Sequence, residues 1–295
     1  VIRTTALLAA AIASLVSACA APLPELPSGQ ARPPMWVIHD ADTRIVILGS
    51  VHQLPADLEW TGGRLATELG LADELLLELS PDESALAGAL FGELGIDEPV
   101  PPIIARFGDA APDIRRLTAE TGMDPARADR TESWALALAL GNALSRGQGL
   151  SADNGVESVL TATFRAHDQP IGGLETARQQ LTMFDALPPN QQDIMVRTTL
   201  AGADASVTRT RTLLRAWADN DIDALTRIAG EAMAETPFLV EPVIHARNRT
   251  WAATLAARLE RRGDVLVAVG VGHLVGEGSL LDELRARGLR PMRLQ

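Results

Sequence analysis

Three residues have the types and settings to do chemistry together: His52 in VILGSVHQLP (46–55), His273 in VAVGVGHLVGEG (267–278) and Glu78 in ELLLELS (74–80). Each histidine lies three residues past a glycine that closes an apolar run, Gly49 or Gly270, where glycine lets the chain turn sharply. The chain has five histidines, and these two occupy the same strand-to-loop position. Glu78 alone interrupts the apolar run from Leu75 to Leu79, and a carboxylate is costly to bury there unless it is paired or bound to a cation. Two imidazoles and one carboxylate form a common donor set for a catalytic divalent metal that keeps open positions for water and substrate. Mn, Co or Zn would suit it. The plainer alternative is a capped or core histidine beside each strand and a carboxylate facing solvent on an edge strand.

For the three to meet, RIVILGS and DVLVAVG must be neighbours in one sheet, since ligands in α/β proteins gather at the C-terminal ends of strands. The surrounding pattern supports this. MWVIHD and RIVILGS are short β-rich runs around the polar turn ADT, a plausible hairpin. LEWTGGRLATELGLAD reads as helical and ELLLELS as a buried strand. The long middle, including APDIRRLTAETG, TESWALALALGNALSRG and VESVLTATFRAHD, carries apolar residues at helical spacing. QPIGGLET reads as a short strand and loop, and more helices follow it. DVLVAVG, a helix in EGSLLDELRARG and a last strand in RPMRL close the chain. The fold class expected is α/β, a central sheet formed by N- and C-terminal strands with a large helical middle.

The N-terminal run VIRTTALLAAAIASLVSACA has a basic start, an apolar stretch and small residues, the pattern of an export signal. Val16-Ser17-Ala18-Cys19 resembles the lipobox of bacterial lipoproteins, which implies cleavage before Cys19 and attachment of lipid to its sulfur. The expected organisation is a signal peptide at 1–18, a Pro-rich tether at 19–34 and one domain at 35–295. The protein would sit in the bacterial cell envelope, anchored to the membrane by lipid on the periplasmic side. Cys19 is the only cysteine, so the domain would have no disulfide. A net charge of −12 argues against nucleic-acid binding, which relies on clustered basic residues. The absence of lysine excludes P-loop and Schiff-base enzymes. There is no His-Glu-x-x-His and no Gly-x-Ser-x-Gly, and Gly270-x-Gly272-x-x-x-Gly276 misses the dinucleotide fingerprint by one position.

Further matches span nearly the whole domain. They are Gly49-Ser50-Val51-His52 with Leu54-Pro55, Glu78 in LLLELS, Gly155-Val156-Glu157 with Leu160, GGLETARQQLTMFDALP (172–188), Arg247-Asn248 with Trp251-Ala252, and VGVGHLVGEGSLLDELRARG. On these residues the chain resembles the TraB/GumN family, which includes the Tiki metalloproteases and is distantly similar in fold to erythromycin esterases and haem-binding ChaN-like proteins. The resemblance implies that both Gly-x-x-His loops and Glu78 form the active site, with His52, Glu78 and His273 as metal ligands and Glu78 a ligand or general base. Arg247 and Asn248 would bind a substrate carboxylate or oxyanion. Glu157, where the family pattern usually has Asp, and Glu175 with Gln180 would orient the ligands or be structural. The function expected is a metal-dependent, peptidase-like hydrolase acting on a peptide or small-molecule substrate. The alternative is a non-catalytic metal-, haem- or saccharide-binding envelope protein linked to polysaccharide biosynthesis.

Overall fold

Successive residues of the strand around Val46 point to opposite faces, and both sets are apolar: Ile45 and Ile47 on one side, Val46 and Leu48 on the other. All four are buried, so this strand needs cover on both faces, as parallel strands in α/β folds do. The computed structural model, which describes residues 24–96, 99–146 and 148–295, supplies it. The segment read as a signal peptide and Cys19 lie outside the described residues.

Eight strands form among the described residues: β1 (Gly29–Gln30), β2 (Met35–His39), β3 (Thr43–Ser50), β4 (Leu58–Glu59), β5 (Glu74–Leu79), β6 (Ile171–Glu175), β7 (Gly263–Gly270) and β8 (Met292–Arg293). Six of them make the main sheet, in the order β6-β5-β7-β3-β2-β8. β6, β5, β7 and β3 run parallel, while β2 joins β3 as the antiparallel hairpin and β8 closes the edge against β2. The fold is mixed α/β, with N- and C-terminal strands interleaved. β7 enters between β3 and β5, and Ser50 is paired with Gly270. The two glycine-histidine loops therefore leave the sheet side by side at one level.

Helices cover both faces. On one lie Leu160 and Phe164 of the helix Val156–Ala166 and Trp217 of the helix Ala203–Ala218. On the other, Trp251 and Leu255 of the helix Ala246–Arg258 pack with Leu280, Leu281 and Leu284. Full burial of one such side chain contributes about 2–3 kcal/mol. The helical middle builds a separate core around Trp134, with Phe107, Ile114, Leu140 and Val196. The end of the stretch read as a tether lies against the domain: β1 pairs with β4, and Ala31 is buried. Among the described residues no helix is long and apolar enough to cross a membrane.

Candidate active site

Each parallel strand of the main sheet delivers one polar group to its C-terminal edge. β3 ends in Ser50, two residues before His52; β5 brings Glu78, β6 brings Glu175, and β7 brings the Gly270 N–H ahead of His273. The Trp217 indole donates to the Gly49 carbonyl at 2.7 Å and fixes the first turn out of the sheet. The N-terminus of the helix Val156–Ala166 docks beside it, through Val156 N–H to the Val51 carbonyl at 3.1 Å. Only glycine fits at 155, because a Cβ there would stand 2.0 Å from the His52 carbonyl oxygen.

Two constellations result. In the first, His52 Nδ1 lies 3.0 Å from Glu157 Oε1, and the Ser50 hydroxyl donates to the same oxygen at 2.5 Å. The His52 side chain is 68% exposed, and it lines a cavity of about 660 Å³ together with Glu78, Glu157, Ser84, Thr161 and Arg165. The hydrogen bond and charge of Glu157 raise the His52 pKa to about 9. Burial pushes the Glu157 carboxyl up, but the bond to His52 overrides it and the net direction is down.

The second constellation is centred on Arg247, which is buried to 8% exposure. Its Nη2 donates to Glu78 Oε2 at 2.5 Å and to Glu175 Oε1 at 2.6 Å. Its Nε donates to Glu175 at 3.1 Å, and its Nη1 donates to the Val243 carbonyl at 3.3 Å and to His273 Nε2 at 3.0 Å. The guanidinium stacks over Trp251, with 4.4 Å from its Cζ to the ring centroid, a favourable cation–π geometry. Since arginine only donates, His273 Nε2 must be the acceptor, and the ring proton is on Nδ1. That nitrogen donates to Asn248 Oδ1 at 2.8 Å, while the Asn248 amide donates to the Gly278 carbonyl at 2.8 Å. His273 is thus held as a neutral imidazole: burial takes its pKa down to about 4. Burial raises the Glu78 pKa, but chiefly Arg247 overrides it and the net direction is down. The other Glu78 oxygen accepts the Gly270 N–H at 2.8 Å.

All eight residues singled out in the sequence converge here, Gln180 through its amide N–H to Glu175 Oε1 at 3.0 Å, in a pattern the sequence did not show. Arg247 was expected to meet substrate, yet its five N–H groups all face protein acceptors. Glu78 was expected to ligate a metal or act as base, yet both its oxygens are engaged and its affinity for a proton is lowered. The metal expected from the paired loops would have to be held by these same side chains. The guanidinium lies between Glu78, Glu175 and His273, and it holds the lone pair with which His273 would bind an ion. Among the described residues, no group of three or more His, Cys, Asp or Glu side chains is placed to hold a metal. Ser50 and the Gly270 N–H had no assigned role in the sequence, although both sit inside the two motifs. Arg165 gave no signal there beyond its place in the last turn of a helix.

The chain is 25% identical over 244 residues to the uncharacterised protein YbaP of Escherichia coli (strain K12), covering 81% of this chain and 87% of that protein. The YbaP protein of Shigella flexneri matches to the same extent. No solved structure matches. A model of the TraB/PrgY/gumN family matches residues 34–293, from just before β2 to the end of β8, and the chain belongs to that family.

Proposed function

We propose that the protein is a hydrolase of the bacterial cell envelope that adds water to a carbonyl-centred bond, an amide or ester, in a peptide or small-molecule substrate. One observation carries this reading: His52 has one ring nitrogen fixed by Glu157 and the other without a hydrogen-bond partner among the described residues, on a side chain that opens into the cavity. That is the geometry of a general acid–base whose tautomer and direction are set by a carboxylate. In its neutral form, His52 Nε2 takes a proton from water as the water oxygen attacks the carbonyl carbon. The resulting imidazolium, stabilised by Glu157, then returns the proton to the leaving group. Glu78 lines the cavity as a fixed charge, held from behind by Arg247. The face of the helix Val156–Ala166 that carries Ser158, Thr161, Ala162 and Arg165 forms one side of the cavity, where small residues leave room for substrate and Arg165 offers a positive charge.

The test is a screen of ester and peptide libraries with the domain, followed by His52→Gln. Turnover should fall by roughly 10²–10⁴, the usual contribution of a positioned acid–base, while the circular-dichroism spectrum stays that of the wild type. Unchanged turnover in His52→Gln would sink the reading. Saturable binding without any turnover by the wild type would favour the binding-protein alternative.

A further inference from the structure

We propose that Arg247 is the resident cation of this site and takes the place of a divalent metal. The inference does not rest on hydrolysis. Two carboxylates, Glu78 and Glu175, are brought together by the ends of β5 and β6, and their side chains are 10% and 7% exposed. Two buried like charges this close need a positive partner, because removing one member of such a pairing leaves an uncompensated charge. In many sites that partner is a metal. Here it is a guanidinium bonded to both carboxylates and to a neutral imidazole, at 2.5–3.1 Å.

The surroundings are built for arginine rather than for an ion. The Trp251 face lies 4.4 Å from the guanidinium carbon, which suits a planar cation and offers nothing to a metal. The Val243 carbonyl takes one further N–H and comes from the π-helical turn Val240–His245. That turn passes directly into the helix on which Arg247 stands, and such turns often sit at functional sites. Asn248 Oδ1 accepts a hydrogen bond from His273 Nδ1–H and so directs the Nε2 lone pair at Arg247. The planar fork of arginine satisfies these acceptors together, which a lysine ammonium would not. Removing Arg247 would leave Glu78, Glu175 and His273 facing a common gap, a two-carboxylate, one-imidazole set that suits Mn, Co or Zn.

The experiment measures metal content and thermal stability of the domain purified without tag or chelator. Wild type is expected to carry less than about 0.1 equivalent of Mn, Co or Zn, and added Co²⁺ or Zn²⁺ is expected to leave its Tm unchanged. Arg247→Ala is expected to lose roughly 10 °C in metal-free buffer, in line with breaking a buried ion pair, and to regain part of it with Co²⁺ or Zn²⁺. Should Arg247→Ala fail to fold, Arg247→Lys keeps the charge; it is expected to fold with an intermediate Tm and no metal response. Wild type that holds close to one equivalent of metal, lost in His52→Ala or His273→Ala, would overturn the proposal. So would Arg247→Ala with wild-type stability in metal-free buffer. None of these readouts requires turnover, so a failed search for substrate leaves them intact.

Discussion

The two motif histidines differ in the company they keep. His52 gains a carboxylate and stays open to solvent; His273 is sealed between Arg247, Asn248 and the Trp251 ring, with 4.6 Å between the two ring centroids. The same three-residue spacing thus yields one titrating group and one fixed acceptor. Glu157 is the cause of the raised His52 pKa, so Glu157→Gln should bring it down from about 9 toward the ordinary 6.5, read by NMR titration of the imidazole. If neutral His52 is the base, wild-type activity should climb with pH through this range, and Glu157→Gln should move that limb to lower pH. A His52 pKa that does not move on Glu157→Gln would remove Glu157 from its assigned role.

At the scale of elements, the site depends on how closely the helix Val156–Ala166 approaches the turn after β3. Gly155 permits that approach, and Gly155→Ala would drive its Cβ into the His52 carbonyl oxygen. The variant should lose about 2 kcal/mol or more, the scale of core overpacking, and should weaken the His52–Glu157 bond. Gly230, exposed within the helix Ile222–Glu235 with open space around it, is the control: Gly230→Ala should stabilise by up to about 1 kcal/mol through helix propensity. Urea unfolding of the two variants gives both numbers. Equal stabilities for the pair would mean that the helix does not need the close approach.

For the whole molecule, the histidines set opposite limits on stability. The His52–Glu157 pair stabilises fully below pH 6.5, and this contribution is lost as pH rises toward about 9, where the folded protein gives up the proton. His273 acts in the other direction. Below pH 6.5 the unfolded chain takes up a proton that the folded protein refuses until about pH 4, so stability falls as pH falls through that window. Glu78 and Glu157, with lowered pKa values, add to the loss further down. Thermal unfolding across pH should show a maximum near pH 6.5, and His52→Gln should flatten the alkaline side alone. A maximum above pH 8 would contradict this assignment.

The order of elements was legible in the sequence because apolar periodicity reports directly on which face of a strand or helix is buried. The strands MWVIH and TRIVILGS, the DVLVAVG strand and the helical middle all follow from it. The candidate residues could be picked out because polar groups stand out in apolar runs: Glu78 in β5, and the histidines after Gly49 and Gly270. What those residues do to one another was not legible. Insertion of β7 between β3 and β5 pairs segments about 190–220 residues apart in the chain, and only that register sets Gly270 against Glu78. The direction of the Arg247 side chain depends on packing over Trp251. It is this placement that turns a set of metal-ligand residue types into the partners of a guanidinium. Residue type gives the chemistry a side chain can do, but its charge state and free lone pairs are set by neighbours that the fold brings from elsewhere.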